Sequence, residues 1–281
     1  MKKILFPTDF SETANNAFIS ALKMADFLNY EILVLHSYEM PVINFGGNLA
    51  FAPEIYSTIE LDTFESFRDV MTQLRDIAFS NKLDHVPIKH TLLQGGLVET
   101  MKNIVKDEEV RLIVMGTGAT KDWAKRLFGS NAIDVMNHVP QNLLIIPDKV
   151  KYKKIKTIGF TTKFRAKDKK ALKEVVRIAS KVGADVKCLY VKPANSDVSE
   201  ALIDEWRSEF AKHNVQFVIM PHDDIKESIF DFLNFNHIEV LAMLSYKSNF
   251  LQDVFVKRNL AKEIVAEITI PLLAIRADYK E

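Results

Sequence analysis

VRLIVMGTGATKDWAKRLFGSN, residues 110 to 131, is the stretch whose reading decides the fold. Leu112 to Met115 form a short apolar run of buried-strand character, and Gly116 is expected to end it. A polar loop with Gly116 and Gly118 follows, then an interval carrying Trp123, Leu127 and Phe128, and then Gly129, Ser130 and Asn131 directly before a helical pattern over 132–137. A glycine after a strand lets backbone approach a ligand closely, and a Gly-Ser step opening a helix offers free N–H groups and a hydroxyl where the dipole favours negative charge. That is the chemistry of a phosphate cradle. The same glycines would serve equally well to make two tight turns, so the loop alone leaves both readings open.

Working outward, apolar runs alternate with helical periodicity. Ile4 to Phe6 reads as a strand ended by Pro7, Thr8 and Asp9. Ser11 is placed to cap a helix whose apolar positions run from Ala14 to Leu28. Ile32 to Leu35 is a second strand, ending at His36 and Ser37. Glu39 to Thr58 reads as a loop or lid, Ile59 to Asn81 as a long helix and Ile88 to Leu93 as a third strand. Gly95 and Gly96 read as a turn, Val98 to Val105 as a helix, and Leu143 to Ile146 as a last strand closed by Pro147. Alternation of this kind predicts an α/β chain with a parallel sheet covered on both faces.

The order then returns. KKILFPTDFSETANNAFISALKMA (Lys2 to Ala25) lies without gaps over KTIGFTTKFRAKDKKALKEVVRIA (Lys156 to Ala179) at an offset of 154. Further on the offset is 128, matching Leu112 to Met115 with Val240 to Met243. Two copies of one fold are therefore expected, residues 1–148 and 152–281, joined near Asp148 to Lys151.

Composition sets bounds. A chain of 281 residues, 48% hydrophobic and 26% charged, has the make-up of a globular protein and the length of two domains. The opening apolar stretch is too short for a signal peptide and no run is long enough to span a bilayer, so a cytoplasmic protein with no membrane partner is expected. Cys188 lies in an apolar run and reads as a buried structural thiol. The halves differ in charge, with 13 Lys+Arg against 19 Asp+Glu up to residue 148 and 24 against 18 after it. Ten of those cations crowd between Lys151 and Lys173. The expectation is solvated helix faces and complementarity between two packed halves, without a nucleic-acid partner.

In a doubly wound sheet ligands sit beyond the carboxyl ends of the strands, where strand order reverses. Pro7 to Asp9, His36 with Ser37, and the Gly116 to Asn131 loop would meet there. FPTDFS has no glycine, which excludes the dinucleotide fingerprint, and no G-x-x-x-x-G-K-[ST] occurs, which excludes the P-loop. Any phosphates must be held by the late loop. The histidines have no metal-ligand spacing, and Ser130 has no evident base beside it, so neither a metal nor a catalytic residue is assigned. His36 reads as a hydrogen-bonded core histidine, and His222 to Asp224 as a solvated turn.

A strand, P-T-D-F-S, a helix, a strand ending in His36, and a late loop of the form G-x2-G-x9-G-[ST] together resemble the universal stress protein superfamily, and the resemblance covers both halves. It implies two tandem doubly wound, Rossmann-like domains of the HUP type, each a five-stranded, mostly parallel sheet with helices on both faces. It also implies an internal pseudo-dimer that stands in for, or further pairs as, a homodimer. In the nucleotide-binding members it implies ATP, with or without Mg, held by Pro7, Thr8, Asp9 and Ser37 around adenine and ribose. Met115, Gly116, Ala119, Gly129, Ser130, Asn131 and Ala132 would lie around the phosphates. Ala119 stands where that pattern has its second glycine, and Ala132 where a second hydroxyl is often found.

The second half departs further, with Lys163 for Asp9, Leu244 for Gly116, Lys247 for Ala119, Lys257 for Gly129 and Arg258 for Ser130. It reads as a degenerate copy and packing partner. The function expected is a stress-response protein without an enzymatic role, any hydrolysis being slow and incidental. Nucleotide would order the Gly116 loop and the Phe45 to Tyr56 segment for an unidentified protein partner. The first rival is a ligand-free interaction scaffold with both sites lost, and the second an enzyme of the wider adenine-nucleotide hydrolase-like group.

Overall fold

β1 (Lys3–Pro7) is buried from Ile4 onward, as an apolar run covered by helices on both faces should be. The computed structural model describes residues 1–41, 52–117, 130–148, 150–222, 224–245 and 268–277. The chain leaves β1 through Phe10, at φ 67°, and enters α1 (Glu12–Leu28) under Ser11, whose side chain accepts from the Ala14 amide at 3.1 Å. The first half continues with β2 (Glu31–Tyr38), α2 (Ala52–Ser80), β3 (Ile88–Gln94), α3 (Leu97–Asp107), β4 (Val110–Thr117), α4 (Ser130–His138) and β5 (Leu143–Pro147). The second half gives β6 (Thr157–Thr161), α5 (Ala166–Val182), β7 (Asp185–Lys192), α6 (Glu200–Glu209), β8 (Val215–Pro221), α7 (Ile225–Phe235), β9 (Val240–Ser245) and β10 (Leu272–Arg276).

These strands form one sheet in the order β3-β2-β1-β4-β5-β10-β9-β6-β7-β8. Pairing is parallel within each half and antiparallel where β5 meets β10. At that junction Leu144 faces Leu273, with Leu143 opposite Ala274 and Ile145 opposite Leu272. The symmetry of that register about the Leu144 and Leu273 pair is what an isologous contact between two like subunits has, here within one chain. One apolar core lies on the face of α1, α2, α5 and α6 and runs through both halves; a second lies under α3, α4 and α7.

The repeat seen in the sequence extends to backbone detail. Phe164, at φ 57°, repeats the left-handed conformation of Phe10, and Gly183, at φ 71°, repeats the cap that Asn29 makes at φ 55°. The amides of Thr8 and Thr162 both donate at 2.9 Å to the equivalent carbonyls of Leu35 and Leu189. Cys188 is fully buried, and that burial pushes its thiol well above the usual range.

Three expectations are corrected. β4 does not stop at Gly116 but runs through it to Thr117, pairing Gly116 with Ile146 and Thr117 with Pro147. A methyl group on Gly116 would come within 2.7 Å of the Thr13 carbonyl oxygen, so this glycine lets α1 lie close against the strand. The lid assigned to Glu39 through Thr58 is helical from Ala52, because Pro53 falls in the first turn, where its ring is tolerated, and Glu54 suits the positive end. From Arg165 onward the basic run pairs within its own half: Lys169 reaches Glu205 and Glu209, Lys173 reaches Glu209 and Arg165 reaches Asp197.

The halves are held by other contacts. The Asn142 side chain accepts from the Arg276 amide at 3.0 Å and donates to Glu174, while the buried Arg276 guanidinium donates to the Met136 carbonyl at 3.1 Å. The connection between the halves is fastened to α1, where Asn16 donates to the Val150 carbonyl at 2.8 Å and Thr13 donates to Asp148.

Candidate functional site

The strand order reverses beside β1, with β2 and β3 on one side and β4 and β5 on the other. Beyond the carboxyl ends of β1, β2 and β4 lies a cleft of about 580 Å³, within the size range of small-molecule sites. Pro7, Thr8 and Asp9 reach it from β1, Ser37 from β2, Met115 and Gly116 from β4, and Asn131 and Ala132 from the first turn of α4. The structure thus brings together eight of the residues assigned from sequence. Ser130 opens α4. Ala119 and Gly129 lie outside the described residues, as do Trp123, Leu127 and Phe128 on the same loop and Lys247, Lys257 and Arg258 of the second half.

Each wall has a local cause. Thr8 is buried and its Oγ1 accepts from the Phe10 amide at 3.2 Å, holding the turn that left-handed Phe10 makes. Asp9 Oδ1 accepts from the Ser11 amide at 3.1 Å and from Ser11 Oγ at 2.6 Å. His36 Nδ1 lies 2.8 Å from the Thr8 carbonyl oxygen, and since a carbonyl can only accept, Nδ1 carries the proton. The imidazole stacks on Phe10 at 4.0 Å between ring centres. His36 is hydrogen-bonded as expected, and it also lines the cleft.

Sequence reasoning missed the third wall. Gly95, Gly96 and Leu97 border the cleft, with Gly95 at φ 129° and Gly96 as the N-cap of α3, whose first turn receives no hydrogen bond from a capping side chain. From sequence the pair reads only as a turn; two glycines between a strand and a helix are the signal. Ser11, Thr13 and Ala14, in the first turn of α1, line the cleft as well. Three helix N-termini, of α1, α3 and α4, therefore converge on one cavity. The dipoles of all three, and the uncapped first turn of α3, favour an anion there. Glu39 is at the rim, and a methyl group on Gly96 would come within 3.0 Å of its Oε1.

The equivalent place in the second half is arranged differently. The buried Asp168 carboxylate accepts from Thr162 Oγ1 at 3.1 Å, from the Lys163 amide at 2.7 Å and from the Arg165 amide at 3.1 Å. Leu244, where the first half has Gly116, is buried. The donors at that strand end are satisfied by the chain itself. His222 and Asp224 make a local turn, with Asp224 capping α7.

Comparison with known proteins places the fold. A model of the universal stress protein family matches residues 1–147. A universal stress protein of Methanocaldococcus jannaschii is 24% identical over 162 residues, covering 53% of this chain and 96% of that protein. A universal stress protein structure from Archaeoglobus fulgidus superposes with a TM-score of 0.73 at 13% identity, covering 98% of this chain and 96% of that one. One from Pseudomonas aeruginosa, described as a putative universal stress protein, superposes at 0.64 and 11% identity, covering 98% and 92%. The two superpositions share the fold across both halves. No helix among the described residues is long and apolar enough to cross a membrane.

Proposed function

The chain belongs to the universal stress protein family, and from that membership and the first-half cleft we propose that it is a stress-response protein binding one adenine nucleotide, ATP with or without Mg, between β1, β2 and β4. The observation that carries this reading is the convergence of three helix N-termini on a cavity at the point of strand-order reversal. The donor set fits a nucleotide. Asp9 and Ser37 offer polar groups for ribose hydroxyls, Pro7 and Met115 offer apolar surface for a base, and the uncapped first turn of α3 with the start of α4 offers amides for phosphate oxygens.

Residues 1–148 form the nucleotide-binding domain in this proposal, and 152–281 a domain whose site is closed by Asp168 and Leu244. The protein then works by occupancy. Bound phosphates stabilise the first turns of α3 and α4 against their dipoles, and the surface next to the cleft is what a protein partner reads. Neither a general base nor a metal site is assigned to the cleft, so turnover of ATP is incidental to the role.

Isothermal titration with Mg-ATP tests it. The expected result is saturable binding that weakens at least about tenfold in Asp9→Ala, a loss of the size given by one or two charge-assisted hydrogen bonds. Absence of saturable heat would favour the ligand-free scaffold, and an unchanged isotherm in Asp9→Ala would overturn the placement of the nucleotide against Asp9.

A further inference from the structure

The basic run divides in two. On α5 its charges meet the carboxylates of α6. On the connection between the halves they do not: among the described residues Lys151 and Lys153 have no ion-pair partner, and the hydroxyl of half-buried Tyr152 has no hydrogen-bond partner. All three line a second cleft, of about 570 Å³, at the place where this connection crosses the ends of β10 and β9. Its interior is apolar, built from Met24 of α1, Leu144 and Ile146 of β5 and Pro271 before β10. Glu239 also borders it, but its Oε2 accepts from the amides of Lys156 and Thr157 at 2.6 and 2.8 Å and is thereby turned to the backbone. No glycine lines it, unlike the nucleotide cleft.

We infer that this cleft between the halves is a binding site for a small amphiphilic anion, an unbranched acyl carboxylate. Its tail lies against the partly exposed Val150, Ile155, Ile270 and Pro271, and its carboxylate is held by Lys151, Lys153 and the Tyr152 hydroxyl. Apolar surface left in contact with water is recovered by an alkyl chain, and two flexible ammonium groups with one hydroxyl donor at the mouth suit a carboxylate. The size of the cleft admits a chain of modest length. The inference does not depend on the nucleotide reading, since it uses none of the same side chains.

Octanoate titrated calorimetrically into the full chain is the test, with 1-octanol as the same tail without charge and inorganic phosphate as an anion without a tail. Octanoate should bind saturably at one site per chain. Octanol should bind about tenfold more weakly, phosphate should not saturate, and the double variant Lys151→Gln/Lys153→Gln should lose about tenfold for octanoate, the size expected of two partly exposed charge contacts. Thr269→Trp, on an exposed residue at the rim, should block the site; the lysine variants, on exposed side chains, keep the test alive should the tryptophan disturb folding. Non-saturable octanoate, octanol or phosphate binding as tightly as octanoate, or unchanged octanoate affinity in the lysine variant would each overturn the inference.

Discussion

At Gly116 the missing side chain is needed by a neighbour. The Thr13 carbonyl occupies the space that a methyl group would take, at 2.7 Å, and the obstructing atoms are backbone at the start of a helix. Gly116→Ala should therefore lower stability by about 1 to 3 kcal/mol, read as a lower urea midpoint at unchanged slope; an unaltered midpoint would mean α1 can move away freely. Glu39 sets a second test. Its carboxylate faces the N-terminal end of α3 from the rim of the cleft, so it repels the anion that this helix end attracts. Glu39→Gln should tighten Mg-free ATP about threefold, as loss of one partly screened like charge does, and an equal or weaker affinity would place the phosphates elsewhere. Neither Glu39 nor the left-handed Phe10 was legible in the sequence. A side chain's direction at the end of a strand and a positive φ at an aromatic residue depend on tertiary contacts that no local pattern encodes.

Among the elements, the first-half strands were legible because their apolar runs are short and several end at Pro or Gly, as at Pro7, Gly95 and Pro147; their order across the sheet was not. What sequence missed lay at ends. Pro53 reads as a breaker although a first helical turn tolerates it, and Gly95 with Gly96 reads as a turn although it also leaves the N-terminus of α3 open toward the cleft. The edge of the sheet away from the cleft has its own electrostatics. Glu31, the first residue of β2, is buried 3.3 Å from Lys3 Nζ and 3.1 Å from Lys89 Nζ. Burial pushes its carboxyl up, but the hydrogen bonds and charges of Lys89 and Lys3 outweigh this and hold it below the ordinary value of 4.5. A depressed folded value contributes stability above the unfolded one and loses it as pH falls through the folded one. The denaturant midpoint should thus drop as pH is lowered from about 5 toward 3, and Glu31→Gln should make that part of the profile shallower. An identical profile in the variant would assign the acid loss to other carboxylates.

Over the whole molecule, two copies of one sheet meet at β5 and β10 with the register of a symmetric dimer. The repeat of 154 residues announced the doubling; the junction itself was not legible, because Asn142 and Arg276, which tie it, are single polar residues at strand ends. A fragment of residues 1–148 exposes the β5 edge and should sediment as a dimer, with Leu144→Arg shifting it to monomer; a monomeric parent fragment would show that β10 is not a stand-in for a second copy. The asymmetry between the halves matters more for function. In the first, three helix ends open on a cavity; in the second, Asp168 already occupies the donors at the strand end. Native mass spectrometry of the full chain with ATP counts the outcome directly. The account predicts one nucleotide per chain, and none when Ser37→Trp fills the first-half cleft. No bound nucleotide in the unaltered chain, two per chain, or one that survives Ser37→Trp would contradict it.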